Sequence, residues 1–524
     1  MPVLTIDNRK VEVEDGATIL DAADKLGIEI PTMCFLKGYE PATSCMICIV
    51  QVEGLTNFVP ACATVAEDGM VVHSSSEEII QARRAALELL LSDHLGDCLG
   101  PCEVTCPAHM NIPLMIRQIA SGRLRDAIAT VKKDIALPAV LGRICPKPCE
   151  RACRRADYDQ AVSICLLKRY VADVDLQSAQ PYLPPCKTGK SRCIAIVGAG
   201  PAGLAAAYYL SREGFGCTIF DDHEKPGGTL QYAVPQKELP RDVLDAEIDT
   251  IMKLGVNFQG RTRIGTSLLL EDLQKDFDAV FVAVGQLNNG DILAGLETKA
   301  DSIVIDNRTY QTNLTGIFAG GDAVRKRKLT VRAVADGKEA AESIVQYLSG
   351  QILTGPTRAF NTRIGKLSAD QAKEFIVGHS ESARINPSQE YGGFTSREAV
   401  EESERCLHCD CRKPRSCKLR RYAHDYKAKA GRYKSERRKF VQFSEHPDII
   451  FEPGKCIDCG LCIQIVARAG EELGLTFIGR GFDVEVAVPF NRSLAKAIKD
   501  TNTAKKCVDA CPTGALAFKQ PDKE

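Results

Sequence analysis

The stretch from Cys193 to Asp221, CIAIVGAGPAGLAAAYYLSREGFGCTIFD, constrains this chain more than any other. An apolar run, Ile194 to Val197, enters a turn with glycines at 198, 200 and 203, and an Ala- and Leu-rich segment follows before Cys217 to Phe220 lead to an acid. The order predicted is strand, tight turn, helix, strand. Gly198 permits the turn, Gly200 lets backbone approach a pyrophosphate, Gly203 lets helix and strand pack closely, and Asp221 is placed to accept from a ribose hydroxyl. Pro201 and Ala202 open the helix, whose first turn offers unpaired N–H groups and partial positive charge to phosphates. A dinucleotide site is therefore expected here.

Cysteine is the second constraint, with 23 in 524 residues and most of them in short-spaced groups. In a long chain whose N-terminus lacks an apolar signal segment, such groups point to metal sites in a cytoplasmic protein rather than to disulfides. Cys34, Cys45, Cys48 and Cys62 follow the spacing C-x10-C-x2-C-x13-C, which suits a two-iron cluster held by a long loop and a neighbouring strand. His94, Cys98, Cys102 and Cys106 come next, and then Cys145, Cys149, Cys153 and Cys165. RCLHCDCRKPRSC supplies Cys406, Cys409, Cys411 and Cys417, read as a further four-iron site. The last set is Cys456, Cys459, Cys462, Cys507 and Cys511. Zinc competes for the first set and for 406–417.

A net charge of −1 gives no global field for nucleic acid, and no apolar run approaches bilayer length. The exception is Arg412 to Lys439, with thirteen Lys and Arg against Asp425 and Glu436. That stretch is either a solvated basic surface or a docking patch for an acidic protein partner.

Several segments resemble known families. Gly227, Gly228 and Leu230, together with Gly316 to Ala323, resemble the flavin-contacting segments of two-dinucleotide flavoproteins. The resemblance implies FAD, with Gly228, Gly321, Asp322 and Ala323 beside it. GRICPKPCERAC (Gly142 to Cys153) and the stretch Val162 to Asp173 resemble the N-terminal helical domain of the glutamate synthase small-subunit family, also found in dihydropyrimidine dehydrogenase. In that family two four-iron clusters have interleaved ligands. Carried over, His94, Cys98, Cys102 and Cys153 hold one cluster and Cys106, Cys145, Cys149 and Cys165 the other. One early cysteine of the family pattern is missing here, so His94 and Cys165 fill the fourth places; His94 sits where complex-I-like iron–sulfur subunits use a histidine ligand.

Residues 1–78 resemble the β-grasp ferredoxin domain that opens the large iron–sulfur subunit of NADH dehydrogenases and related hydrogenases. The C-terminal segment resembles a bacterial two-cluster ferredoxin in which Val466, Thr501 and Ala504 stand at ligand positions of one cage. The resemblance implies that one cluster remains, on Cys456, Cys459, Cys462 and Cys511, and that Cys507 is left unliganded. Cys193 and Cys217 fall on expected strands as apolar filler.

The fold expected is a multidomain α/β chain. Its parts are a β-grasp 2Fe-2S domain (1–78), a helical domain with two 4Fe-4S clusters (79–185) and a Rossmann-like FAD-binding domain (190–353). A connector with a Cys-rich motif and the basic stretch (354–440) leads to a ferredoxin-like 4Fe-4S domain (441–524). In the resembled family an NAD(P)H domain is inserted between the two halves of the flavin domain. Here Phe277 to Gly285 passes within some thirty residues to Asn313, too few for a nucleotide domain, and no second GxGxxG or GxGxxA follows.

The cofactors implied are FAD, one 2Fe-2S cluster and about four 4Fe-4S clusters. The role implied is an electron-transfer subunit of a larger oxidoreductase without an NAD(P)H site of its own. Its partners would be other redox subunits: an NADH-oxidising flavoprotein, a hydrogenase, a formate dehydrogenase or another reductase, with ferredoxin a further partner. The competing role is a stand-alone FAD-dependent oxidoreductase acting on a small molecule. No general acid, base or nucleophile stands out.

Overall fold

The computed structural model describes every residue except 190, 288–294, 327, 389–391, 434–439 and 520–524. The end of the basic stretch, including Glu436, therefore lies outside the described residues. Two compact units are formed, one from 1–99, 359–378 and 409–524, the other from 100–358 and 379–408. The chain passes from one unit to the other after residues 99, 358, 378 and 408, so Cys98 and Cys102 belong to different units, as do Cys406 and Cys409. Neither 99/100 nor 408/409 is a boundary expected from the sequence.

In the second unit the apolar run forms the strand Cys193–Val197, the centre of a five-stranded sheet. The strand order is Ile317–Ala319, Ala279–Val282, Cys193–Val197, Gly216–Phe220, Val256–Gln259, and every pair is parallel. Parallel strands covered on both faces need unbroken apolar sequence. Residues 194–197 and 279–282 supply it and are buried throughout. Cys217 is likewise buried, but Cys193 is exposed, because the strand starts with it at the sheet margin.

The helix Pro201–Arg212 carries the chain from the first strand to its neighbour, and the helix Thr330–Leu348 packs along it. Gly337 makes that approach possible, since a Cβ there would stand 2.2 Å from the Ala202 carbonyl oxygen. Between the strands at 279–282 and 317–319, the described residues form only a short antiparallel pair, Thr298–Lys299 with Ser302–Ile303.

The helices Ile112–Ala120, Leu124–Asp134, Pro138–Ile144 and Ile164–Leu176 share one apolar core with this sheet and its helices. Buried polar groups fix their placement. Glu247 accepts from the N–H groups of Ala139 and Val140, both at 2.8 Å, and so caps Pro138–Ile144. Lys132 donates to Asp175 at 2.7 Å, and the Tyr208 hydroxyl to the Lys132 carbonyl at 2.7 Å.

The first unit opens with a mixed five-stranded sheet in the order Arg9–Glu12, Val3–Ile6, Val71–His73, Ile49–Val52, Val59–Pro60. Val3–Ile6 and Val71–His73 are parallel and the other pairs antiparallel. The helix Ile19–Lys25 packs its buried Ile19, Leu20, Ala22 and Ala23 into the same core as these strands and starts in a capping box between Thr18 and Asp21. The helix Glu77–Ser92 follows, capped by Ser76; its Arg83 donates to the Ile49 carbonyl (2.9 Å) and to the Tyr426 hydroxyl (3.0 Å). At the C-terminal end Ile449–Phe451 pairs antiparallel with Leu516–Phe518, and the helices Leu461–Arg468 and Thr501–Ala510 pack together. Among the described residues no helix is long and apolar enough to cross a membrane.

Candidate functional site

The glycine turn is built as tightly as the sequence requires. Gly198 has φ +106°, and a Cβ there would lie 2.4 Å from the Ala283 carbonyl oxygen; one at Gly203 would lie 1.9 Å from the Gly198 oxygen. The space beside Gly200 is open to 4 Å, and the first turn of Pro201–Arg212 has no side-chain cap. Backbone N–H groups thus face free room at the helix start, which suits a phosphate.

Gly227 N–H donates to the Ala199 carbonyl (2.9 Å) and draws Gly228 alongside the turn. Asp221 stands at the end of its strand, accepting from Ala199 N–H at 2.6 Å and from His223 N–H at 2.9 Å. A carboxylate has about four acceptor positions, so capacity remains for a ribose hydroxyl. On the other side Gly321 N–H donates to Asp336 (3.2 Å), which Arg325 and Arg332 each hold at 2.9 Å. Asp322 is half-buried and Ala323 fully so. This cradle fits a dinucleotide.

The thiols of the first unit's sheet domain meet as two pairs. Cys34 is in hydrogen-bond contact with Cys45, and Cys48 with Cys62. Donation from Cys45 holds Cys34 below the usual thiol range, and donation from Cys62 does the same for Cys48, while Cys45 and Cys62 are pushed up by the same contacts. Two close pairs are the pattern that two iron atoms need when each takes two thiolates.

In the second unit Cys106, Cys145, Cys149 and Cys165 come together. Cys145 contacts Cys165 and is pushed up by it, Cys165 is also in contact with Cys149 and stands at about 12, and Cys106 is raised by burial with Cys145 among its neighbours. Two helices set the geometry. Pro138–Ile144 ends at Cys145, Ile164–Leu176 carries Cys165 in its first turn, and they cross at Gly142, where a Cβ would meet Arg169 Cβ at 2.7 Å. Glu150, from the same CPKPCERAC run, accepts from Cys165 N–H (2.9 Å) and from Arg384 (2.8 Å). Cys102, Cys153 and Cys406 border the same core, and Arg405 lies near Cys153.

The remaining cysteines group differently from the sequence expectation: Cys98 lies in a different unit from Cys102 and Cys153, and Cys406 in a different unit from Cys409, Cys411 and Cys417. Cys98 stands with Cys411 and Cys417, which the spacing had assigned to a cage of their own. Cys411 N–H donates to the Cys98 carbonyl (3.4 Å), and Cys98 is among the groups that raise both Cys411 and Cys417. His94 belongs to the same unit. Its Nδ1 is buried without a hydrogen-bond partner, and burial, with Lys455 nearby, pushes its imidazole down to about 4. A neutral ring with a free lone pair is the form a metal takes. Lys455 neighbours both His94 and Cys411 and pairs with Glu452 at 2.6 Å. Cys409 is half-buried in this unit.

Cys456, Cys459, Cys462 and Cys511 are mutual neighbours at the C-terminal end. Val466, Ala504 and Cys507 pack together in the apolar core beside them, and the Cys507 thiol donates to the Cys462 carbonyl at 3.9 Å. Apolar side chains thus occupy positions where a second cage would need ligands.

Among the described residues, the trio of His, Cys, Asp or Glu ligand atoms that lie within 4.8 Å of one another is Asp221, Asp222 and His223, at the rim of the nucleotide turn. Glu247 does not stand out in the sequence, because it is one of several charges in a helical stretch and its partners, the Ala139 and Val140 N–H groups, belong to another element.

Comparison with known proteins agrees with this geometry. The family described as 2Fe-2S iron-sulfur cluster binding domain matches residues 3–77, and dihydropyrimidine dehydrogenase domain II, 4Fe-4S cluster, matches 93–180. A NAD(P)-binding Rossmann-like domain matches 196–256 and pyridine nucleotide-disulphide oxidoreductase 235–337. The chain therefore carries 2Fe-2S, 4Fe-4S and nucleotide-binding redox domains. It is 43% identical over 189 residues to NADPH-Fe(3+) oxidoreductase subunit beta of Geobacter sulfurreducens, covering 36% of this chain and 28% of that one. It is 39% identical over 207 residues to NADP(+)-dependent formate dehydrogenase subunit beta of Moorella thermoacetica, covering 36% and 29%. With NAD-dependent dihydropyrimidine dehydrogenase subunit PreT of Escherichia coli it shares 40% over 230 residues, covering 42% and 55%. The chain thus spans from 28% to 55% of the length of these relatives.

Proposed function

We propose that this chain is an electron-transfer subunit of a larger oxidoreductase, passing electrons between partner subunits through FAD, one two-iron cluster and about four four-iron clusters. The observation that carries the reading is the way the first unit joins its thiol sites. Cys34 and Cys45 of the two-iron site, Cys459 of the C-terminal cage and Cys417 line a single apolar cluster with Met33, Leu87 and Tyr422. Cys34 is near enough to Cys459, and Cys511 near enough to Cys417, for each to raise its neighbour's hold on a proton. Sites that share one packed wall suit stepwise electron transfer; a set of independent structural metals has no need of it.

The ligand sets that follow are Cys34, Cys45, Cys48 and Cys62 for the two-iron cluster, and Cys106, Cys145, Cys149 and Cys165 for one four-iron cluster. Cys456, Cys459, Cys462 and Cys511 hold another, and His94, Cys98, Cys411 and Cys417 a third. Cys102, Cys153 and Cys406 contribute to a further cluster. FAD, when bound, supplies the exchange between electron pairs and single electrons. The chain's own groups hold it: the turn at Gly198, Gly200 and Gly203 and the helix opened by Pro201 and Ala202 receive the pyrophosphate. Asp221 receives the ribose, and Gly228, Gly321, Asp322 and Ala323 the flavin half.

The relatives' names support partners that are other redox subunits, among them one that oxidises a pyridine nucleotide or formate. With a single nucleotide fingerprint in its sequence, the chain takes electrons from such a partner rather than from NAD(P)H directly. Anaerobic mixing of the purified protein with NADH or NADPH tests this. The expected result is no rapid loss of flavin absorbance, although dithionite reduces flavin and clusters alike. Rapid bleaching by either nucleotide without a partner would replace this reading with the self-sufficient oxidoreductase.

A further inference from the structure

Arg412 and Lys413 open the basic stretch, yet both are spent on the interior. Each is buried: Lys413 donates to the carbonyls of Val508 and Cys511 (2.7 and 2.8 Å), and Arg412 lies 4.0 Å from Glu452. The cations that follow are at the surface. Arg415, Arg421, Lys427, Lys429 and Arg432 are exposed, and between residues 412 and 433 the one acid is Asp425. Arg421 also reaches Glu29 at 3.2 Å, but both side chains are more than half exposed and water screens such a pair.

The helix Lys418–Asp425 carries this surface over the thiol-lined wall of the first unit. Its buried Leu419, Tyr422 and Ala423 share one face and pack in the apolar cluster that holds Cys34, Cys45, Cys417 and Cys459, while Arg421 and His424 lie on the exposed face. Tyr422 ties the helix to the two-iron loop: its hydroxyl accepts from the N–H of Thr32, two residues before Cys34, at 3.3 Å. A protein resting on the outer face is therefore one helix diameter, about 10 Å, from the wall that Cys34 lines. The whole chain carries a net charge of only −1, so this local concentration of positive charge selects where an acidic protein lands.

We propose that the surface of Arg415, Arg421, Lys427, Lys429 and Arg432 is the docking site of a small acidic protein that carries its own one-electron centre, of the ferredoxin type, and that electrons pass between it and the clusters behind this wall. The inference rests on the electron-transfer reading above and deepens it by naming a partner and the face that receives it. In each exchange one electron leaves the partner's centre, which is oxidised, and enters a cluster of this chain, which is reduced; no proton moves and no bond is made or broken. The same surface serves the reverse direction.

The test is anaerobic stopped-flow mixing of the full chain with a small acidic 2Fe-2S ferredoxin that has been reduced and freed of excess reductant. Wild type is compared with the double variant Arg421→Glu with Lys427→Glu, with Arg421→Gln with Lys427→Gln, and with Lys299→Glu, an exposed lysine of the second unit. At low salt the second-order rate constant should fall at least tenfold in the Glu variant and at least threefold in the Gln variant, and stay within twofold in Lys299→Glu. The wild-type rate should fall steeply as salt is added and the Glu variant's should not. If the Glu variant lacks wild-type iron or melting temperature, the Gln variant and the wild-type salt dependence decide. Rates equal in wild type and the charge variants overturn the proposal, as does a wild-type rate indifferent to salt, or no transfer from the ferredoxin to a chain that dithionite reduces. Duplex DNA or phosphatidylserine vesicles bound by wild type and lost in the Glu variant, with ferredoxin rates equal in the two, overturn it in favour of another polyanion. A chain in which dithionite reduces neither flavin nor clusters overturns the electron-transfer reading itself.

Discussion

Replacing Gly142 by alanine should spread the cage at Cys106, Cys145, Cys149 and Cys165. The new Cβ would lie 2.7 Å from Arg169 Cβ and 2.8 Å from Arg169 Cα. Packed carbon atoms stand about 3.5–4.0 Å apart, so the two helices must separate by about 1 Å. Neither contact can swing aside, because one atom is backbone and the other is fixed to it. Overpacking of this kind costs about 1–3 kcal/mol. The displacement falls on the thiols because Cys145 closes one helix and Cys165 opens the other. Iron and acid-labile sulfide per chain, with a thermal melt, measure the result. The expected outcome is a lower melting temperature and loss of one four-iron cluster, with the two-iron signal retained. Full iron content and an unchanged melt would refute the claim that this helix crossing sets the cage.

Other consequences can be checked separately. Burial pushes Glu247 from 4.5 up to about 7, against the pull of the Ala139 and Val140 N–H groups. Between those values the folded state binds more protons than the unfolded one, so stability falls as pH rises through that window and levels off above about 7; the full change is about 3 kcal/mol at about 1.36 kcal/mol per unit. Chemical denaturation at several pH values should show this slope, and Glu247→Gln should remove it. Gly203→Ala, whose Cβ would stand 1.9 Å from the Gly198 oxygen, should leave less than about a tenth of the flavin per chain, read from absorbance after denaturation. Cys98→Ser and Cys411→Ser should each remove the same cluster, so the double variant should lose no more iron than either single one; additive iron loss would place the two thiols in different cages.

Features whose parts lie close together in sequence were legible there. The turn at Gly198, Gly200 and Gly203 carries its own steric signature, and Cys34, Cys45 and Cys48 lie on the loop that leads into Ile49–Val52, with Cys62 in the turn just past Val59–Pro60. The CPKPCERAC run likewise brings Cys145 and Cys149 with it, and the helix from Ser163 onward returns Cys165 to them. The neighbourhood of Cys98 was not legible, because its companions Cys411 and Cys417 come from a distant segment that rejoins the unit only after residue 408. Local spacing favours the cage within 406–417, and only long-range folding can choose between the two. The same limit hid the cap that Glu247 places on Pro138–Ile144. A charge inside a helical pattern reads as a solvated face until its partners are known.

Stepwise electron transfer through the first unit requires its thiol sites to form one connected path. The fully dithionite-reduced protein, examined by electron paramagnetic resonance at several temperatures, addresses that directly. Because Cys34 neighbours Cys459, the reduced two-iron cluster and the C-terminal four-iron cluster should show mutual broadening or splitting of their signals, and Cys459→Ser should return the two-iron signal to its simple form. Sharp, non-interacting signals in the fully reduced wild type, or a two-iron signal indifferent to Cys459→Ser, would contradict a connected relay.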